Sequence, residues 1–200
     1  MKNALLPLFF LAGLAFSPSA QAQKEETLAG SARVKGGFGA PFFTFSQADD
    51  NAGFGGGGGG AFIINDFFIG GFGEGASFGN RRYNNRNYDL SLGYGGFWLG
   101  YTYPSHKLIH LYSSLKIGWG NASQLRADDD PFDGDQINDH IFALHPELGA
   151  EINLVHWFRL GFTAGFRLVG GVGSLPTVRS GDFNSPTLGI TLRFGKFGYR

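Results

Sequence analysis

Residues 158–168 alternate strictly between two kinds of side chain. Even positions hold apolar residues, whereas odd positions hold glycine, threonine and arginine. Successive side chains of a strand point to opposite faces, so the segment predicts a β-strand with one apolar face. A helix would instead scatter Arg159 and Arg167 into its apolar stripe. The chain is therefore predicted to be built from strands that differ sharply between their two faces.

Seven further segments carry the same signal with varying regularity. In the segment 88–102 the apolar residues lie at even positions up to Tyr94 and at odd positions from Phe97 onward. This change predicts a β-bulge at Gly95-Gly96, unless the apolar face is wrongly assigned at one end. In the segment 67–78, Phe72 and Glu74 fall on the same face, so it stays open which face of this strand is the apolar one. The predicted strands are residues 33–45, 55–64, 67–78, 88–102, 109–119, 142–154, 158–168 and 187–194.

Short and long connections alternate between these strands. Short links fall at 65–66, 104–107 and 155–156. An even strand number with short turns at one end and long loops at the other is typical of an outer-membrane barrel. A soluble sandwich gives no reason for such sorting. The predicted long loops are residues 46–54, 79–87, 120–139 and 173–185.

The polar faces of the predicted strands consist mostly of Gly, Ser and Thr with isolated ionisable residues. Apolar side chains that face lipid around a narrow interior of small residues explain this pattern, and eight strands leave room only for side chains. A closed sheet also pairs every backbone group inside a bilayer. The predicted fold class is all-β, an eight-stranded antiparallel up-and-down transmembrane β-barrel over 32–200. A soluble exported sandwich or a lipocalin-like barrel is the alternative.

Aromatic residues lie near the predicted strand ends, as expected of belts at two membrane interfaces. One set lies by the short turns and the other by the long loops. The first set is Phe67, Trp98, Tyr101, Tyr103, Trp157 and Phe194, and the second is Phe43, Phe78, Tyr88 and Trp119.

The first 22 residues have the layout of a signal peptide. Met1 and Lys2 precede an apolar run at 4–16, and Ala20-Gln21-Ala22 matches the small-x-small pattern of a cleavage site. We place cleavage after Ala22, with a retained N-terminal anchor as the alternative, and residues 23–31 as a short polar lead-in. The lack of cysteine excludes disulfides, thiolate metal sites and a lipoprotein anchor. With 16 acidic and 16 basic residues, the chain shows no basic surplus for nucleic acid.

The last predicted strand carries a further motif. Thr187, Gly189, Leu192 and Phe194 follow the order polar, glycine, hydrophobic and aromatic. With the signal peptide and the eight strands, this chain resembles the small OmpA/OmpX-like outer-membrane β-barrel proteins of Gram-negative bacteria. The resemblance implies an outer-membrane location and recognition of this motif by the barrel-assembly machinery. Residues 195–200 follow the aromatic on which family barrels often end, so the end of the strand stays open.

Several ionisable residues fall on the inward parity. Pairing near Glu151–Arg159 is expected across the 155–156 turn, and the next hairpin permits His110–Glu151 and Lys116–His145, with Lys116–Glu147 diagonal. Because an unpaired charge in a narrow lumen is costly, we predict a salt-bridge network that plugs it, with an ion-conducting path as the alternative. The predicted network is His110, Lys116, His145, Glu147, Glu151, Arg159, Arg167 and Arg193, with Lys35, Glu74 and Asp89 as further candidates.

Other chemistry is weakly indicated. The histidines lack metal-binding spacing, and His110 and Ser113 fall on opposite strand faces, unlike the His-x-Ser pair of lipid-A deacylases. We therefore predict no metal, no cofactor and no enzyme. The acidic run 128–135 lacks EF-hand ligand positions, which leaves a solvated loop or a weak calcium site. The glycine run 55–60 lacks the Lys of a phosphate loop and indicates a flexible loop leading into a strand.

The arginines of the second long loop suggest one partner. Arg81, Arg82 and Arg86 suit the phosphates of lipopolysaccharide, with ordinary solvation as the alternative. We expect a monomer with a structural or surface-binding role. A narrow barrel that transports or senses a small solute is the second hypothesis.

Overall fold

A computed structural model describes residues 32–48, 51–83, 86–103, 106–126, 137–175 and 178–198. The predicted signal peptide, its cleavage site and the lead-in lie outside these residues, as does the acidic run 128–135. The fold described below is that of the unit Arg33–Arg200. None of its described helices is long and apolar enough to cross a membrane.

The described chain closes into one antiparallel barrel of eight strands in sequence order. Each strand pairs with its neighbours along the chain, and β1 pairs with β8 to close the sheet. The predicted up-and-down barrel is therefore confirmed. Its elements are β1 (Val34–Ala48), β2 (Asn51–Ile64), β3 (Phe67–Tyr83), β4 (Arg86–Tyr103), β5 (Ile109–Arg126), β6 (Ile137–Val155), β7 (Phe158–Gly170), the 3₁₀ helix η1 (Ser180–Phe183) and β8 (Ser185–Lys196).

The strands extend further than the sequence pattern indicated. Residues 46–48 belong to β1 and residues 51–54 to β2, so most of the predicted loop 46–54 is strand. The predicted loop 79–87 is likewise wrong, since β3 runs to Tyr83 and β4 begins at Arg86. Polar residues do not end a strand where the barrel projects into water, because its outer face no longer contacts lipid there. β5 and β6 also extend into the predicted loop 120–139.

At the opposite end the connections are short. Asn65 and Asp66 form the link between β2 and β3, and Asn65 adopts a φ of 56°. Asparagine is among the few residues that adopt this left-handed backbone readily, which suits it to a two-residue hairpin turn. β8 ends at Lys196, two residues beyond Phe194, with Gly195 opposite Phe38 of β1.

The glycine run 55–60 lies within β2 and is paired on both sides, so its interpretation as a flexible loop was wrong. Its inward glycines make room for aromatic rings. A Cβ at Gly57 would lie 2.8 Å from Cζ of Phe42 and would collide with the backbone of β3, and one at Gly53 would collide with the ring of Phe78. The outward Gly73 and Gly75 of β3 differ, since an added Cβ there meets nothing within 4 Å.

No bulge interrupts β4 at Gly95-Gly96. The strand keeps continuous register with β5 from Tyr88 to Tyr103. Leu90, Leu92 and Tyr94 are consequently buried in the lumen, whereas Phe97 on the opposite parity is 57% exposed. Both faces of β4 carry apolar side chains because one faces outward and the other packs inside the barrel. Register shifts instead occur between Val34 and Gly36, Phe78 and Arg81, and Asn153 and Val155.

The outer surface is apolar, with exposed residues such as Phe62, Leu111 and Leu148. Most of the predicted belt residues that the structure describes lie on this surface. Two belt assignments were wrong, since Trp98 and Phe78 are only 1% and 2% exposed and point into the lumen. The parity of their own strands places them there, because residues 68–78 and 90–102 bury their even positions.

Candidate functional site

The lumen has two chemically different walls. Strands β1–β4 contribute an aromatic wall, so the predicted interior of small residues was wrong for this half. Strands β5–β8 contribute the opposite wall, called the polar wall below, which carries most of the ionisable side chains, all of them buried. The aromatic wall comprises Phe38, Phe42, Phe68, Phe72, Phe78, Tyr94 and Trp98. The ionisable residues opposite are His110, Lys116, His145, Glu147, Glu151, Arg159, Arg167 and Arg193.

A first cluster forms around Glu151 near the end with short turns. Its Oε2 lies 2.8 Å from Nε2 of His110 and 3.3 Å from Nη1 of Arg159. Its Oε1 lies 3.1 Å from Nη1 of Arg193. His110 is the cross-strand partner of Glu151, whereas Arg159 pairs with Asn153 and reaches Glu151 diagonally. Three residues of the predicted network, His110, Arg159 and Arg193, therefore meet at the carboxylate of Glu151.

A second cluster forms around Glu147 in the middle of the barrel. Lys116 donates from Nζ to Oε1 of Glu147 at 3.1 Å, and Ser114 donates to Oε2 at 2.6 Å. The same ammonium lies 3.5 Å from Oε2 of Glu74 on β3. Lys116 thus joins a carboxylate from each wall. The further candidate Glu74 lies in the lumen.

His145 connects the two walls. Its Nε2 lies 2.8 Å from Oγ1 of Thr187 on β8, and its Nδ1 lies 3.3 Å from the hydroxyl of Tyr94 on β4. Tyr94 in turn donates to Oε2 of Glu74 at 3.1 Å. Thr187, a member of the predicted assembly motif, therefore also contributes to the lumen network.

Four cations of the described lumen lie over aromatic rings, and the contacts of three of them are especially close. The Nζ of Lys116 lies 4.0 Å from the ring centre of Phe42, and the guanidinium of Arg193 lies 4.3 Å from that of Tyr112. Arg159 lies 3.8 Å over Phe197, beyond the end of β8. Such contacts compensate part of the cost of burying a cation. Alternation along β5 places Tyr112 on the inward parity with His110 and Lys116, whereas the inward direction of Phe42 and Phe197 follows only from the closed register.

The remaining predicted residues are placed as follows. Lys35 lies at the inner mouth, 3.2 Å from Asp66. Asp89 is exposed on the outward parity, so it does not belong to the lumen network. Arg81 and Arg82 lie in β3 and Arg86 lies in β4, but their side chains fall outside the described part of the structure.

The described residues include no group of three or more His, Cys, Asp and Glu residues that could hold a metal ion. The cavity at the inner mouth, lined by Arg159, Arg193 and Phe197 among others, has a volume of about 10 Å³. That volume accommodates no more than one water molecule. Two larger depressions, of about 500 and 480 Å³, are lined mainly by outward-facing apolar residues. Because their hydrogen bonds and ion pairs join different strands, the lumen side chains can hold the strands of the barrel together.

An apolar exterior, a closed sheet and a charged interior define a small eight-stranded transmembrane β-barrel. The solved structure of Neisserial surface protein A (NspA) is similar to this chain, with a TM-score of 0.58 and 15% identity over 82% of this chain and 97% of NspA. At the level of fold, the resemblance to small OmpA/OmpX-like barrels is confirmed.

Two further solved structures are less similar. Ail of Yersinia pestis, in complex with the heparin analogue sucrose octasulfate, has a TM-score of 0.48 and 15% identity over 80% of this chain and 97% of Ail. The N-terminal β-barrel domain of Pseudomonas aeruginosa OprF has a TM-score of 0.48 and 13% identity over 81% of this chain and 98% of that domain. No protein-family model and no curated protein matches the sequence.

Proposed function

We propose that this protein resides in the outer membrane of a Gram-negative bacterium and acts there as a closed structural scaffold that presents its outer end for binding. The observation that carries this proposal is the packing of the lumen. Glu151, the cross-strand partners Lys116 and His145, and Arg167 lie along the lumen, and each is at most 2% exposed. A barrel filled in this way serves as a rigid support rather than as a pore.

The outer-membrane location is supported by the apolar exterior and by the fold shared with NspA. The motif at Thr187, Gly189, Leu192 and Phe194 supports recognition by the barrel-assembly machinery during insertion. Phe194 points outward on β8 and stacks on Phe158 of β7 with 4.8 Å between the ring centres. It is therefore accessible from the lipid side, as a recognition element should be. We propose that the finished barrel is a monomer.

The outer ends of β3 and β4 carry the proposed lipopolysaccharide contacts Arg81, Arg82 and Arg86. Strands that project beyond the bilayer bring these residues close to the phosphates of the outer leaflet. Guanidinium groups bind phosphate oxygens in a bidentate manner. Replacing all three with Gln is expected to reduce the lipopolysaccharide that copurifies with the barrel, whereas replacing the exposed Arg33 at the opposite end is not.

A planar-bilayer measurement tests the scaffold against the narrow transport barrel. The purified protein is expected to insert without producing stable conductance steps. Steps that shrink in Arg159→Ala or Glu147→Ala would overturn the scaffold and support transport of a small solute. Replacement of residues 127–136, which connect β5 and β6, by a short turn tests the binding role, since a scaffold that binds through its outer end loses surface binding but still folds. Mass spectrometry of lipid A from cells with and without the protein tests the remaining enzyme hypothesis.

A further inference from the structure

Arg167 on β7 is the one ionisable member of the described lumen network that no carboxylate pairs with. Its side chain is 0% exposed, and it donates one hydrogen bond, from Nη2 to Oγ of Ser46 at 3.0 Å. Its Nε and Nη1 are buried and have no partner within the described residues. The ring centre of Phe78 lies 5.4 Å from the guanidinium carbon. Two donor groups of this charged guanidinium, Nε and Nη1, therefore lack an acceptor among the described residues.

The charge of Arg167 is not compensated by a contact with any carboxylate of the described lumen. Each of the carboxylates Glu74, Glu147 and Glu151 is engaged by other cations. Lys116, Arg159 and Arg193 account for those contacts. The fourth buried carboxylate, Asp139, is held by the backbone N–H groups of Gly173, Ser174 and Leu175, so Arg167 is left without a carboxylate contact. Arginine cannot lose its proton inside a protein, and a buried unpaired charge is strongly unfavourable. Neutralisation requires a negative charge from outside this set of side chains.

The surroundings of Arg167 offer further donors. Ser185 on β8 is its cross-strand partner, and the Ser185 hydroxyl accepts a hydrogen bond from the backbone N–H of Gln47 at 3.5 Å. Since Ser46 and Ser185 each accept a hydrogen bond, both hydroxyls retain a proton to donate. Phe183 of η1 is fully buried and packs on Phe78 with 5.7 Å between the ring centres. An aromatic pair therefore lies beside the guanidinium.

We propose that the outer part of the lumen binds one small monovalent anion of halide size. The free N–H groups of Arg167 and the hydroxyls of Ser46 and Ser185 would hold it. One negative charge would match the single cation that lacks a carboxylate contact, and a spherical ion accepts donors from several strands at once. The anion would complete the network that the side chains alone leave unbalanced. This inference does not depend on the proposed function, since a scaffold and a pore could each carry such an ion.

Crystals of the complete barrel soaked in sodium bromide provide a direct test. An anomalous difference peak within hydrogen-bonding distance of Nε or Nη1 of Arg167 is expected. Ordered water alone at these atoms would overturn the proposal. So would a carboxylate from the acidic run 128–135 seated on the guanidinium, since it would supply the missing charge from within the chain.

A solution measurement separates a real site from occupancy at crystal concentrations. When chloride replaces gluconate at constant ionic strength, in the range of 1–100 mM sodium salt, the midpoint of thermal unfolding is expected to rise by about 2–4 °C. Arg167→Met should abolish that rise, whereas Arg33→Met, which removes an exposed arginine, should retain it. If Arg167→Met does not fold, Arg167→Lys should fold with a weaker anion response. An equal response in wild type and the Arg167 variant, or no response in wild type, would refute the site.

Discussion

Oε1 of Glu151 on β6 lies 3.1 Å from Nη1 of Arg193 on β8, so one carboxylate connects two strands that do not pair with each other. Its other oxygen binds His110 of β5 and Arg159 of β7. Glu151 therefore connects all strands of the polar wall at one level of the lumen. The backbone ladder alone joins only adjacent strands.

Removing the charge of Glu151 is expected to destabilise the barrel. Glu151→Gln keeps the volume but leaves Arg159 and Arg193 buried without their carboxylate, at a cost of about 3–5 kcal/mol of unfolding free energy. Asp66→Asn is the matched control, because its ion pair with Lys35 has side chains 47% and 29% exposed. Pairs of that kind contribute about 0–1 kcal/mol. Urea unfolding in detergent micelles measures both, and equal losses would contradict the role of Glu151.

Inward and outward glycines should respond oppositely to the same substitution. Gly57→Ala forces a methyl group against Phe42 and the backbone of β3, and overpacking of this kind costs about 1–3 kcal/mol. Gly73→Ala places its methyl group in open space on the outer surface and restricts the unfolded chain. It is expected to be neutral or to stabilise by about 0.4–1 kcal/mol. A larger loss in Gly73→Ala than in Gly57→Ala would show that the faces are reversed.

The position of Trp98 can be tested by fluorescence. The chain has three tryptophans, and a variant with Trp119→Phe and Trp157→Phe retains only Trp98. In vesicles of lipids with brominated acyl chains its emission should persist, because quenching requires contact and Trp98 is 1% exposed. The matched variant that retains only Trp119, which is 55% exposed, should be quenched. Strong quenching of Trp98 would show that the even-numbered side chains at this end of β4 face the lipid, contrary to the structure.

The carboxylate of Asp139 is expected to anchor residues 173–175, which follow β7, in a pH-dependent manner. It lies beyond the outer aromatic residues Trp119 and Phe142, and accepts backbone N–H groups of Gly173, Ser174 and Leu175 at 2.8, 2.8 and 3.2 Å. Desolvation raises the pKa of Asp139, but these donors outweigh it, so the pKa lies below the ordinary value. The anchoring energy is therefore fully present above the unfolded-state pKa of about 4 and is lost as the pH falls through the folded-state pKa.

Amide hydrogen exchange, corrected for its intrinsic pH dependence, measures this anchor. The amides of Gly173, Ser174 and Leu175 should be protected at pH 7 and lose protection in strong acid. Asp139→Asn should reduce protection at pH 7, whereas Asp182→Asn in η1 should leave these amides protected. Equal protection of these amides in Asp139→Asn and in the wild-type protein at pH 7 would contradict the anchor.

Alternation made much of the polar wall predictable. In residues 158–168 the two faces differ so strongly that parity alone separates the inward Arg159 and Arg167 from the outward Phe162 and Phe166. Antiparallel pairing keeps a constant index sum, which explains why the cross-strand pairs His110–Glu151 and Lys116–His145 could be predicted from the sequence. Arg193 also followed from its parity.

Parity was uninformative where both faces of a strand are apolar. In β4 the rows that contain Tyr94 and Phe97 look alike, and only the register with β3 and β5 shows that Tyr94 points inward. Strand length was equally hidden, because strands that project into water no longer need an apolar face. The contacts of Arg193 with Tyr112 and of His145 with Thr187 depend on which strands face each other across the lumen.

The sequence by itself determined that the chain forms eight strands, that these close into a barrel, and which charged residues lie inside the polar wall. These features could be predicted because their physical cause is local: a strand exposes alternate side chains to two different environments. The tertiary structure alone decided that aromatic rings fill the other half of the lumen and that Arg167 meets no carboxylate among the described residues. These features depend on the distances between strands that are remote in sequence, which closure of the sheet sets.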